Sequence, residues 1–136
     1  MLGVDLGKAR IGLAVMNLQA GIPTPLPAVQ AKGALAKDAE QVAAVAQAQE
    51  AGTIVLGLPL LMGEETPMSR VVRRFGAILE DHGVCVAYAD ESMTTSEADT
   101  ALFEAGMKAS QRKKARDSEA ACRILERFRE QNDANS

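Results

Sequence analysis

Apolar residues occupy every second position at the start of the chain. Leu2, Val4 and Leu6 alternate with Gly3, Asp5 and Gly7, and after Lys8-Ala9 the alternation resumes at Ile11, Leu13 and Val15. This period predicts two short half-buried strands joined by a tight turn. Met16 to Pro27 reads as a loop, broken by Gly21, Pro23, Pro25 and Pro27, and a short third strand is expected around Ala28 to Ala31. The period then lengthens. Leu35, Ala39, Val42 and Ala46 share one face of a helix expected over Leu35 to Glu50, with Gly52 as its stop signal.

Thr53 to Leu58 is a continuous apolar run, the pattern of a strand covered on both faces. A loop over Leu60 to Thr66 leads to Thr66-Pro67, a cap followed by a first-turn proline. The helix that follows buries Met68, Val71, Val72, Phe75, Ile78 and Leu79, keeps Arg70, Arg73 and Arg74 off that stripe, and closes at Gly83. His82, the single histidine, falls in its last turn, where it complements the helix dipole. Val84 to Ala89 is the next strand, ending in Asp90-Glu91. Thr94 to Glu97 has the form of a capping box and opens a helix that stops at Gly106. The cationic stretch Lys108 to Arg116 comes next. A last helix is expected from about Asp117 to Glu130, burying Ala121, Ile124, Leu125 and Phe128.

This order, β-β-β-α-β-α-β-α-α, predicts an α/β fold in which an antiparallel meander leads into βα units of one five-stranded mixed sheet, with helices on both faces. It reads as one domain over residues 1–131 with a frayed tail over 132–136. The chain is 47% hydrophobic but only 3% aromatic, so its core is aliphatic and alanine-rich. No segment has the length of a membrane span or the form of a signal peptide. Cys85 and Cys122 lie in apolar patterns and read as buried, reduced thiols of a cytoplasmic protein. The net charge of −3 is no overall signature of nucleic-acid binding, so the distribution of charge matters more than its sum.

Three carboxylates stand out by position. Asp5 interrupts an apolar strand, where a charge is costly unless something binds it; backbone amides at a sheet end could do so. Glu91 lies just past the carboxyl end of a strand, where open α/β sheets place their sites. Asp117 shares the buried face of the last helix, in its expected first turn, and could equally be that helix's N-cap. Together the three suggest a site for hard divalent cations, which prefer oxygen ligands. Clustered carboxylates also repel, so at least one should hold its proton more tightly than usual.

GVDLGKARIGLAV, GLPLLMG, DESMTT and ARDSEAACRIL occur in the order and spacing of the YqgF family, also called RuvX, the Holliday-junction resolvases and pre-16S rRNA nucleases. The chain resembles that family over about Met1 to Arg127. The resemblance implies a ribonuclease-H-like fold in a bacterial cytoplasmic protein. It also implies an acidic trio, Asp5, Glu91 and Asp117, serving as catalytic residues and as ligands of two Mg²⁺ or Mn²⁺ ions that assist phosphodiester hydrolysis. Structured RNA or a DNA junction would be the substrate, and a homodimer would match a two-fold junction. Lys8, Arg10, Lys108, Arg112, Lys113, Lys114 and Arg116 are the candidate phosphate-holding cations, although a charge run of this kind also forms solvated loops. The sequence departs from the family pattern at Ser92, where an arginine is usual, at Asn17, where an aspartate is common, and at Leu61 to Glu64, which lacks the usual Asp-Gly pair.

Two other classes compete. One is a nucleic-acid-binding module of the same fold that does not cut, a reading that Ser92 favours by removing a cation. The other is an actin-like phosphotransferase, since D-x-G-x-x-x-x-G-x-A resembles the first phosphate loop of that group; a pair of such domains is needed to enclose a nucleotide, and G-x-x-x-x-G-K-[ST] is missing.

Overall fold

The computed structural model describes residues 1–17, 19–91 and 109–134, with 109–118 and 133–134 as backbone. The opening alternation forms β1 (Leu2–Leu6) and β2 (Arg10–Met16), paired antiparallel with Asp5 opposite Gly12. Their turn is tight enough to demand glycine: a Cβ on Gly7 would lie 2.4 Å from the Arg10 carbonyl oxygen. β3 (Pro23–Gln30) pairs antiparallel with β2. It begins five residues before the expected short strand and absorbs the last part of the expected loop, Pro23 to Pro27. The prolines do not prevent this because β3 is an edge strand. Pro23 and Pro25, two residues apart, share one side of it, so their missing donors can both face the open edge.

α1 (Leu35–Ala48) buries Ala39, Val42 and Ala46 as its periodicity requires. It stops before Gly52. Glu50 takes the left-handed position at φ 55°, the Ala51 amide donates to Ala46 O at 2.8 Å and the Glu50 amide to Gln47 O at 3.1 Å. This is the closing pattern glycine usually provides, completed here by a glutamate. β4 (Thr53–Leu58) runs parallel to β1, and β5 (Cys85–Asp90) runs parallel to β4. Between them α2 (Pro67–Glu80) starts with the Thr66 hydroxyl accepting from the Ser69 amide, while the Ser69 hydroxyl accepts from the Thr66 amide. α2 ends at Glu80, so His82 lies in the turn beyond it. Gly83, at φ 84°, completes that turn.

The last helix, α3, spans Ala109–Ala134, eight residues earlier than expected. Ala109 to Arg116 contains no glycine or proline and is rich in Ala, Arg, Lys and Gln, all strong helix formers. The cationic run is therefore helical rather than a loop. Asp117 lies about two turns inside α3 rather than in its first turn, which removes the N-cap reading. The helix expected after Thr94 falls outside the described residues, as do Ser92 and Lys108.

The sheet order is β3-β2-β1-β4-β5. On one face α1 and α2 cover Leu2, Val4, Ile11, Leu13, Ile54, Leu56 and Leu58 with Val42, Phe75 and Leu79. On the other, Ala121, Ile124 and Leu125 of α3 pack on Ala14, Met16, Val55 and Ala89. β1 is thus buried on both faces rather than half-buried. Gly3 makes this possible: a Cβ there would meet Leu125 Cγ at 2.6 Å and the Ala121 carbonyl oxygen at 2.8 Å, so α3 seats against bare backbone. Neither cysteine is buried as expected. Cys85 is exposed and Cys122 is half-buried, because β5 is the second edge strand and Cys122 sits at the margin of the α3 contact.

Candidate active site

The parallel register brings the carboxyl ends of β1, β4 and β5 together, with Val4 level with Leu56 and Leu58 level with Asp90. Glu91 is tied to this edge by its amide, which donates to Leu58 O at 3.0 Å. Asp5 is two residues beyond Gly3, so it projects from the same face of β1, the one that α3 covers. On β4 that face carries Gly57 rather than a side chain. A Cβ on Gly57 would lie 2.6 Å from Glu91 Oε2 and 2.6 Å from Ile124 Cδ1. The bare glycine leaves the Glu91 carboxylate room to lie across β4.

Glu91 is strongly perturbed. Burial, and next the neighbouring Asp5 charge, push its carboxyl up to about 7 from the ordinary glutamate value of 4.5, with Asp90 adding in the same direction and Arg127 and Arg123 opposing. The structure therefore sets Asp5 and Glu91 in electrostatic contact at one end of the sheet. Asp117 is on α3 one turn before Ala121, whose carbonyl abuts Gly3; its side chain is outside the described residues. Among the described residues no three Asp, Glu, His or Cys side chains group as a metal set. The Asp5–Glu91 pair does suit a hard cation. Both are oxygen donors, and the Asp5 charge raises the cost of ionising Glu91, a cost that a bound cation would offset.

Lys8 and Arg10 are exposed in the turn after Asp5, at the same end of the sheet. Arg112, Lys113, Lys114 and Arg116 occupy the first turns of α3, just ahead of Asp117. Sequence reasoning missed Arg123 and Arg127, which act on Glu91 from the same helix. Arg127 Nη1 also donates to Asp90 O at 3.3 Å. Their signal was an i, i+4 spacing flanking Ile124. Gln131 was missed as well. Its amide accepts from the Asp90 amide and donates to the Asp90 carbonyl, both at 3.3 Å, so α3 closes the last backbone pair of the β5 edge.

A three-stranded meander extended by two parallel strands, with carboxylates gathered at the strand ends under the final helix, defines a ribonuclease-H-like α/β protein. The chain belongs to the RuvX family, whose model is described as a Holliday junction resolvase and matches residues 1–131. A relative from Paramagnetospirillum magneticum, named "Putative pre-16S rRNA nuclease", is 38% identical over 93% of this chain and 82% of its own length. Another of the same name, from an Anaeromyxobacter strain, is 40% identical over 92% of each chain. Among solved structures, T. thermophilus RuvC in complex with a Holliday junction substrate superposes with a TM-score of 0.41 at 14% identity, over 81% of this chain and 72% of that one. No helix among the described residues is long and apolar enough to cross a membrane.

Proposed function

We propose that this chain is a divalent-metal-dependent endonuclease for structured nucleic acid, with Asp5, Glu91 and Asp117 as its acidic set. The observation that carries the reading is the electrostatic coupling of Asp5 and Glu91 at the carboxyl ends of β1 and β5, with the Glu91 carboxylate seated over Gly57. Family membership supports the same chemistry. Mg²⁺ or Mn²⁺ bound there would supply Lewis-acid activation of water and charge neutralisation at the scissile phosphate. Asp5 and Glu91 would be ligands, and Asp117 would complete the set from α3. Lys8 and Arg10 hold substrate phosphate on the β1 side, and the α3 cations hold it on the other. Arg123 and Arg127 supply positive charge beside Glu91, in a sequence where Ser92 replaces the usual family arginine. Pre-16S rRNA ends and Holliday junctions are the substrate classes that the relatives' names point to.

The test is cleavage of a structured RNA and of a four-way DNA junction by the purified full chain with Mn²⁺ or Mg²⁺. The expected result is cutting of at least one substrate that is abolished by chelator and by Asp5→Asn. Metal-independent cutting, or undiminished cutting by Asp5→Asn, overturns the assignment. Binding without any cutting would indicate a binding module of the same fold.

A further inference from the structure

The loop between β4 and α2 contains a two-residue hairpin. The Leu61 amide donates to Glu64 O at 2.9 Å, and the Glu64 amide returns to Leu61 O at 2.8 Å. Met62 and Gly63 form the turn with φ of 51° and 82°. Two positive φ values are the signature of a type I′ turn, whose first central position favours Asn, Asp or Gly. A methionine there is strained. It is also 74% exposed, and the adjacent Leu61 is 53% exposed. Among the described residues the one other large exposed apolar side chain is Ile22, in the β2–β3 turn. The chain thus holds two neighbouring apolar side chains in water on a backbone that disfavours one of them.

The hairpin is rigidly based and stands at the acidic end of the sheet. The Thr66 hydroxyl donates to Pro59 O at 2.7 Å. Leu58, immediately before Pro59, accepts the Glu91 amide. Glu65 is held by the buried Ser69 hydroxyl and by Arg73, which lowers its carboxyl below the usual range. Arg70, Arg73 and Arg74 are exposed on the first turns of α2. Arg73 pairs with Glu65 and Arg70 also acts on it, which leaves Arg70 and Arg74 without a carboxylate bridge among the described residues, on the helix that follows the tip. An apolar point set among cations suits an anionic partner with exposed apolar faces, which describes unstacked nucleic-acid bases better than a continuous duplex.

We propose that the Leu61–Met62 tip is a wedge that recognises branched or unpaired nucleic acid by packing on unstacked bases at the substrate's break in stacking. Arg70 and Arg74 hold the adjoining phosphates. This inference rests on the nuclease reading and assigns that site its preference for interrupted over continuous duplexes.

The test uses full-length Asp5→Asn protein with two probes, a continuous duplex and the same sequence carrying a bulge or four-way branch with 2-aminopurine at the break. A companion protein adds Leu61→Thr and Met62→Asn; asparagine suits the turn, and a thermal melt checks that the fold is kept. The parent is expected to bind the branched probe about tenfold more tightly and to change the 2-aminopurine fluorescence on binding. The companion should keep its affinity for the continuous duplex, lose the preference to within about twofold, and leave the fluorescence near that of the free probe. A parent without preference, or a companion that retains it, overturns the inference. So does a companion that converts dimer to monomer in sedimentation while still discriminating, since the tip would then be an interface between copies. Wild-type cleavage with metal is scored separately. Cleavage with an irrelevant hairpin defeats this inference alone, and discrimination by a protein that cuts nothing defeats the cleavage reading alone.

Discussion

Glu91 is the residue on which the electrostatics of the site converge. Its carboxyl titrates near 7 in the folded chain against 4.5 ordinarily. The folded state therefore binds more protons than the unfolded one between those values. The resulting stabilisation is fully present below pH 4.5 and is lost as pH rises through 7. Glu91→Gln, which cannot ionise, is expected to make the metal-free protein more stable than wild type at pH 8, by on the order of 2 kcal/mol, with little difference at pH 4.5. Chemical denaturation at the two pH values measures this; an equal effect at both would show that Glu91 does not titrate in this range. Asp5→Asn should move the Glu91 titration back toward the ordinary range, because it removes the second-largest cause of the rise. The position of Glu91 past an apolar strand was legible in the sequence. That one of the clustered acids holds its proton more tightly was legible too; that it is Glu91 was not, since this comes from burial under α3 and from Asp5, both remote along the chain.

At the scale of elements, the site depends on how closely α3 approaches the sheet. Gly3 and Gly57 are two close approaches that a side chain would block, one at Leu125 and the Ala121 carbonyl, the other at Ile124 and Glu91. Gly57→Ala should cost about 1–3 kcal/mol by overpacking and should displace the Glu91 carboxylate. It should weaken Mn²⁺ binding in calorimetry as well as lower the melting temperature. A variant that melts early but binds metal normally would separate Gly57 from the site. The elements themselves were largely readable. β4 and the capped start of α2 fall where the apolar run and Thr66-Pro67 indicate. β3 is longer than its pattern indicates because prolines break a central strand but not an edge. α3 starts eight residues ahead of its expected position because Ala109 to Arg116, though densely charged, consists of good helix formers.

For the whole molecule, an acidic chain carrying a cationic helix end predicts separable binding and catalysis. Neutralising Arg112, Lys113 and Lys114 should reduce the salt slope of nucleic-acid binding by about 2–3, since each phosphate contact contributes about 0.7–0.9. Metal-induced stabilisation should survive in that variant. Asp117→Asn should do the reverse, abolishing cleavage at nearly unchanged affinity. Mg²⁺ or Mn²⁺ should raise the wild-type melting temperature by linkage, and more at pH 8 than at pH 6, because the ion competes with the proton that Glu91 holds near 7. An unchanged salt slope after triple neutralisation would move the docking surface to Arg70, Arg73 and Arg74.

The sequence alone determined what depends on local periodicity: two alternating strands, a doubly covered strand, two amphipathic helices, and an aspartate set within an apolar strand. Its motifs also marked the family. Tertiary structure decided which strands lie at the edges, and hence that Pro23 and Pro25 could stand in β3 and that Cys85 is exposed. It decided that Asp5 and Glu91 are coupled, and that glycines let the last helix and the Glu91 carboxylate lie close against the strands. It also showed Met62 strained and exposed in the loop that follows β4. The division has a physical reason. Periodicity is written in neighbours along one element, whereas edges, close approaches and shared fields arise between residues tens of positions apart, whose pairing only the closed sheet and its last helix establish.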